Sequence, residues 1–452
     1  YVPERNDYMN STYFDEIYHP RTAYEYLHGL RVYEWTHPPF GKWLISLGIS
    51  AYGMTPFGWR FVGVLFGVFM IPAIYFFAKF LFKKNVLSAA VCTMFTFDFM
   101  HYAQSRLATV DTYITFFVIL MYMFMFKYIT TNYNDKNQEK DFRKNLIWLA
   151  LSGISMGLGV ASKWPGVYAG IGLAVIFFTF VGVRFLEFIG IKNKAPKKMS
   201  ADERFIKDNF KQMTLKTFAA CVVFFVIIPI GIYLASYALV FESYAKYYDG
   251  YDYNFIEIVL KNQEAMYNYH SSLESSHPYS AAWWQWPFNM RPMFYYSAET
   301  LDKLKQGISS FGNPIVWFCG FFAALYCAFK AVKKKSSTAA FIFVGYIAQY
   351  LPWILVSRTT YAYHYFPCVP FLVLALGEAF KDIASIIRHS TSNKAVFGKN
   401  FGGFVIPYTP VVVFSIVAVI LFFVFLPVLT GTPIPYEYAE KLRWMKGWQL
   451  VI

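Results

Sequence analysis

Two carboxylates stand side by side in Tyr13-Phe14-Asp15-Glu16-Ile17-Tyr18-His19, and a histidine braced by prolines follows in Thr36-His37-Pro38-Pro39-Phe40-Gly41-Lys42. Neighbouring side chains point different ways in either regular backbone geometry, so Asp15 and Glu16 can hold separate partners. One can take the proton of an acceptor hydroxyl while the other orients the acceptor or a nearby cation. A pair of solvated loop charges reads the same way in isolation. Each proline fixes its own φ, so His37 is presented by a stiff turn whether or not it meets a substrate.

Cations follow at intervals: Arg106 in Ser105-Arg106-Leu107 with Asp111 downstream, Lys163 in Ser162-Lys163-Trp164, and Arg358 in Ser357-Arg358-Thr359. With Asp98 and His364 they fall at one end of the apolar stretches, and ionisable groups at membrane depth are expensive and tend to be functional. A guanidinium can hold a lipid phosphate. The plainer alternatives are an Arg106–Asp111 pair locking two helices, or snorkelling; Lys163 and Arg358 carry the same two readings. In Ser275-Ser276-His277-Pro278-Tyr279 and Trp283-Trp284-Gln285-Trp286-Pro287, the tryptophans suit an interfacial anchor or a stacking surface for a sugar. His277 suits a substrate contact or a structural bond.

The elements that must position these residues are membrane helices. Of 452 residues, 57% are apolar, 21% aromatic and only 15% charged, against about a quarter charged in soluble domains. Disordered, coiled-coil and disulfide-rich secreted classes are excluded. A span needs roughly 20 apolar residues, and ten stretches qualify: 57–82, 86–104, 108–130, 145–162, 164–187, 216–241, 313–332, 338–357, 362–380 and 407–428. The segment 40–54 is too short and is expected in the interface. The parts are an outer loop 1–56, a first bundle 57–241, an outer loop 242–312, a four-helix part 313–428 and an outer tail 429–452.

With 1–56 outside, the inner segments and inner helix ends hold 25 of the 41 Lys and Arg but 9 of the 27 Asp and Glu. The positive-inside rule thus sets the orientation and accounts for the net charge of +14 without nucleic acid. The basic inner loop 188–215, with Lys192, Lys194, Lys197, Lys198, Arg204 and Lys207, is expected as a surface-lying helix on anionic lipid. Five cysteines lie in apolar runs without the spacing of a zinc site or disulfide framework. The chain starts Tyr-Val-Pro-Glu without a Met, and we expect it to begin inside a longer protein.

Taken in order, the Asp-Glu pair, His-Pro-Pro, Ser-Arg-Leu with its downstream Asp, Ser-Lys-Trp, His-Pro…Trp-Gln-Trp-Pro and Tyr363-His364-Tyr365…Pro367 resemble the protein O-mannosyltransferases, bacterial members above all. The resemblance runs along nearly the whole chain. It implies an all-α polytopic membrane protein of the C-type glycosyltransferase fold, with about ten transmembrane helices here and eleven if one precedes residue 1. The 242–312 loop is too short for the β-trefoil domain of eukaryotic members.

The resemblance also implies inverting transfer of mannose from a polyprenyl-phosphate donor to Ser or Thr hydroxyls of proteins, at the outer face of a bacterial plasma membrane. Asp15 would be the catalytic base, and Glu16, also catalytic, would position the acceptor or the cationic network. Arg106, Lys163 and Arg358 would hold the lipid phosphate, and His37, Asp111, His277, Tyr361 and His364 would bind substrate or support the site. No cofactor or metal is implied, and the oligomeric state stays open. The nearest rival is a sister enzyme that glycosylates a glycolipid, of the lipid-A aminoarabinose type. A transporter would instead place charges near the midplane on broken helices.

Overall fold

The computed structural model describes residues 7–131, 138–195, 198–248, 253–272, 277–392 and 406–451. Ser275, Ser276 and Lys197 lie outside the described residues. Among those described, eight helices are long and apolar enough to cross a membrane: Pro56–Phe82, Asp111–Thr130, Phe142–Ser162, Gly166–Lys192, Ala201–Ala238, Pro314–Lys333, Ser337–Leu355 and Ile406–Thr430. A ninth arises if Asn85–Thr96 and Phe99–Ser105 count as one span bent by 58°. The protein is a multi-pass membrane protein.

The ninth expected span, 362–380, is built differently. A 3-10 turn, Ala362–Cys368, leads into the helix Val369–Ser392, whose middle carries Glu378, Lys381 and Asp382. Its first turns are wrapped by protein, with Phe371, Leu372, Val373, Leu374 and Ala375 all at 0% exposure. The charges are tolerated because they are paired: Lys330 Nζ lies 2.6 Å from both Glu378 Oε1 and Asp382 Oδ2.

The bend has an identifiable cause. Asp98 caps the second half-helix, accepting from the backbone N–H groups of Met100 (3.1 Å) and His101 (3.3 Å). Its other oxygen accepts from Asn313 N at 3.0 Å, at the start of Pro314–Lys333. A buried carboxylate with this many backbone donors is satisfied where it stands. Asp98 therefore joins two spans and is not part of the polar site sketched from sequence.

The basic segment differs from expectation too. Ala201–Val222 starts at a Ser200/Glu203 capping box and runs through a π-turn, Val223–Ile227, into Ile228–Ala238. It is the continuation of a span and not a separate surface-lying helix. Pro229 cannot donate to the preceding turn, and the π-turn absorbs the lost bond without breaking the rod.

At the end of the bundle that bears residues 7–55, the described residues of the long connection 242–312 form regular elements. The connection contains the helices Phe241–Tyr247 and Phe255–Ser272, a 3-10 turn Trp283–Phe288, and an antiparallel hairpin of Met293–Glu299 with Lys305–Ser310. The register runs from Met293↔Ser310 to Glu299↔Lys305, with a bulge between Phe294 and Tyr296. The segment after Thr430 clasps this hairpin: Ile434 bridges Lys305, and Trp448 Nε1 donates to Asn289 O at 2.6 Å. The Leu450 carbonyl lies so close to Gly307 that a Cβ there would meet it at 2.0 Å.

Candidate active site

The Asp-Glu pair sits on a single 3-10 turn, Phe14–Ile17, and the two carboxylates meet different surroundings. Phe14 has a left-handed backbone, φ 53°, uncommon for a bulky residue. Its ring is pinned by Tyr295 (centroids 4.3 Å apart) and Tyr363 (5.7 Å). This packing fixes the turn from which Asp15 projects.

Glu16 is fully buried and fully engaged. Arg60 donates to it twice, Nε to Oε1 at 2.8 Å and Nη2 to Oε2 at 2.6 Å. Ala108 N adds a bond at 3.0 Å. Arg60 also donates to the carbonyls of Tyr8 (2.7 Å) and Ser11 (3.0 Å). Glu16 thus ties the loop to the span Pro56–Phe82 and to the 106–110 turn, a bidentate geometry that only a guanidinium supplies.

Asp15 is partly buried and has no side-chain hydrogen-bond partner among the described residues. Burial pushes its pKa up to about 6; Asp111 and Glu34 add to the rise, while His19 and Lys163 oppose it. These are the charges that frame the site. Lys163 Nζ holds Asp111 Oδ1 at 2.7 Å and lies 5.6 Å from the centre of the Tyr363 ring. The Arg106–Asp111 pair suggested by sequence does not form.

A second buried network carries His37. Lys42, fully buried, donates to Glu34 Oε2 (2.7 Å) and to the carbonyls of Glu34 (2.7 Å) and His37 (3.1 Å). Burial alone raises the Glu34 carboxyl, but Lys42 beside it holds it well below the usual carboxylate range. The His37 ring lies between His19 (5.8 Å) and His270 (5.6 Å). Burial pushes the pKa of His37 well below the histidine range and that of His270 down to about 4.

The remaining candidates come from the segments around 277 and 358–364. Tyr361, Tyr363 and His364 stack on one another, and His277 meets Tyr361 edge-on at 5.4 Å. Arg358 is half-buried, with no carboxylate in ion-pair reach among the described residues, and its charge bears on His270, Tyr361, Tyr363 and His364. The tryptophans divide: Trp284 is exposed, whereas Trp286 is core, packed between Trp353 and His364. Arg106 stands apart from this group. It donates to Leu429 O at 3.1 Å, near the C-terminal end of Thr409–Thr430, and lies over Tyr102.

Asp15, Asp111, Lys163, His37, Tyr361, His364 and Arg358 therefore form one cluster of mutually acting groups, and Arg106 flanks it beyond Tyr13, on whose hydroxyl its charge acts. Sequence reasoning missed Arg60, Glu34, Lys42, His19 and His270. Arg60, an arginine just inside an apolar span, carried the usual signal of a costly buried charge. Beside the site, an apolar groove of about 970 Å³ is lined by Met125, Met156, Trp164, Tyr168, Phe225 and Pro229 among others. Its polar rim is Trp164, donating to Tyr233 at 3.2 Å, with Tyr233 donating to Gln263 at 2.5 Å.

Residues 51–245 match the family model described as dolichyl-phosphate-mannose-protein mannosyltransferase, and residues 255–448 that of the C-terminal four TMM region of protein-O-mannosyltransferase. The polyprenol-phosphate-mannose–protein mannosyltransferase of Mycolicibacterium smegmatis is 24% identical over 485 aligned residues, covering 96% of this chain and 87% of that one. The S. cerevisiae protein O-mannosyltransferase Pmt1-Pmt2 complex bound to the sugar donor superposes with a TM-score of 0.75 at 15% identity, over 98% of this chain and 90% of that one. ArnT from Cupriavidus metallidurans gives a TM-score of 0.51 at 12% identity, over 93% and 67%. The fold is the C-type glycosyltransferase fold.

Proposed function

This chain belongs to the protein O-mannosyltransferase family and is a glycosyltransferase, and from that premise we propose how its own residues carry the transfer. The donor is a polyprenyl-phosphate mannose and the acceptor a Ser or Thr hydroxyl of a protein. Asp15 takes the hydroxyl proton as the oxygen attacks the anomeric carbon from the face opposite the phosphate. The bond from that carbon to the phosphate oxygen breaks, and polyprenyl phosphate leaves with the electron pair, so the anomeric configuration inverts. The observation that carries this reading is the contrast within the pair: Glu16 is locked on Arg60, while the Asp15 carboxylate has no hydrogen-bond partner among the described residues and is raised toward the working range of a general base.

The leaving group is a stable anion, so cations can supply most of what the transition state requires. Lys163 acts directly on Asp15, Arg358 acts on Tyr361 and His364 beside it, and Arg106 is a flanking contact. Lys163 is already held by Asp111, whereas Arg358 has no carboxylate partner among the described residues, and Arg358→Ala should raise the donor KM about 10- to 100-fold, the worth of a charged hydrogen bond. An unchanged donor KM would remove Arg358 from the phosphate site. The polyprenyl chain fits the apolar groove beside Trp164.

The reaction as written needs no metal or cofactor. EDTA is expected to leave the rate unaltered, and inhibition reversed by a divalent ion would overturn this part. The charge bias of the loops supports a site facing outward from a bacterial plasma membrane. The test is transfer by purified protein from polyprenyl-phosphate mannose to a Ser/Thr peptide, read by mass spectrometry. A hexose on the peptide is expected; its absence with folded protein would move the acceptor to a glycolipid.

A further inference from the structure

One carbonyl in the site receives two histidines. His37 Nδ1 lies 2.8 Å from Thr36 O, and His270 Nε2 lies 2.9 Å from the same oxygen. A carbonyl oxygen only accepts, so both nitrogens carry their protons. A neutral imidazole has one N–H, which leaves Nε2 of His37 as a bare lone pair. That nitrogen has no partner among the described residues and is not sealed from the site, unlike Nδ1 of His270, which is buried without a partner. Thr36 cannot turn away: its N–H donates to Glu34 Oε1 at 2.7 Å, its hydroxyl to the same oxygen, and Lys42 holds Glu34.

The geometry points to His37 as a hydrogen-bond acceptor for a substrate hydroxyl, its tautomer set by the Thr36 carbonyl. The ring lies against His19, the first of the charges acting on Asp15. The low pKa of His37, set by burial, keeps the lone pair available through the acid limb. A lone pair accepts from a hydroxyl but repels a phosphate oxygen, so the His37 nitrogen suits sugar or Ser/Thr hydroxyls while the Lys163 and Arg358 cations suit the phosphate. Which substrate supplies the hydroxyl rests on the mannosyl-transfer reading above; the tautomer does not.

Two measurements test this on the full chain in lipid nanodiscs. The first is nitrogen NMR of the histidine-labelled protein, with the His37 signal assigned by its loss in His37→Gln. A protonated Nδ1 with bare Nε2 is expected, and a protonated Nε2 would overturn the proposal whatever the activity. The second compares two amides. His37→Gln places an acceptor oxygen where Nε2 stood; His37→Asn keeps only a donor toward Thr36 O. The Asn variant should lose about 10- to 100-fold in kcat/KM, and Gln should stay within about fivefold of wild type. The loss falls on the donor KM if the sugar supplies the hydroxyl and on the peptide KM if the acceptor does. Asn outperforming Gln would overturn the proposal, leaving a bond to Thr36 as the whole role. Wild-type protein inactive with this donor would instead strike the transfer reading, while the NMR result still decides the tautomer.

Discussion

Asp15→Asn abolishes transfer, by about 10²- to 10⁴-fold, and leaves a protein that is more stable at neutral pH than the wild type. The amide has the shape of the carboxylate but cannot take the proton. The stability gain follows from the raised pKa, about 6 in the folded protein against an ordinary 3.8. Below 3.8 the carboxyl is neutral in both folded and unfolded chains, so its contribution is fully present. As pH rises toward 6 the unfolded chain ionises first and stability is lost. Above that the penalty is complete, at most about 3 kcal/mol and less because the group is partly exposed. The same carboxyl sets the acid limb of the rate, with kcat/KM climbing to a plateau above about pH 6. Product formation across the acid range, with thermal melts of both proteins, measures the two effects together. A rate that stays flat well below pH 6, or a variant retaining ordinary activity, would dismiss Asp15 as the base.

Arg60→Ala unfolds or severely weakens the protein. It strands the Glu16 carboxylate at 0% exposure and frees the carbonyls of Tyr8 and Ser11. Breaking a buried pair from one side costs about 3–5 kcal/mol because the remaining charge has lost its partner. Arg60→Lys is expected to fall between, since an ammonium cannot span both Glu16 oxygens and both carbonyls. The double variant Arg60→Met with Glu16→Gln should recover much of the stability, as no orphan charge remains, yet stay impaired in transfer because the Asp15 turn has lost its anchor. Melting temperatures in detergent read the series; a single Arg60→Ala variant that melts with the wild type would refute the clamp.

What could be read beforehand and what could not divide along a physical line. The apolar spans and the charge bias of their connections are local properties, and most of them survive in the structure. Asp15, Lys163, Asp111, His37, His364 and Arg358 were singled out by type and place, and they do gather. Partnerships are not local. Arg60 and Glu16 are 44 positions apart, and Asp111 and Lys163 are 52 apart. Nearness in the chain favoured Arg106 for Asp111, but Arg106 ends its half-helix and turns toward Leu429. The helix Val369–Ser392 was counted as an ordinary span because apolarity does not say whether lipid or protein will cover it. Lys42 was visible in its motif, yet nothing in the motif says that Glu34 neutralises it.

The clasp on the hairpin sets an order of assembly. Met293–Glu299 and Lys305–Ser310 can pair once both are made, but Ile434 and Leu450 reach them, and Trp448 reaches the preceding Asn289, only after Pro314–Lys333, Ser337–Tyr350, Val369–Ser392 and Thr409–Thr430 have been made. Until then the hairpin edge at Lys305 is open, and Tyr295, which steadies Phe14 and so Asp15, rests on an unfinished sheet. A ribosome-bound intermediate thus carries every acidic and basic group of the site without the support that aims the base, and competence waits until residues 431–450 have been made.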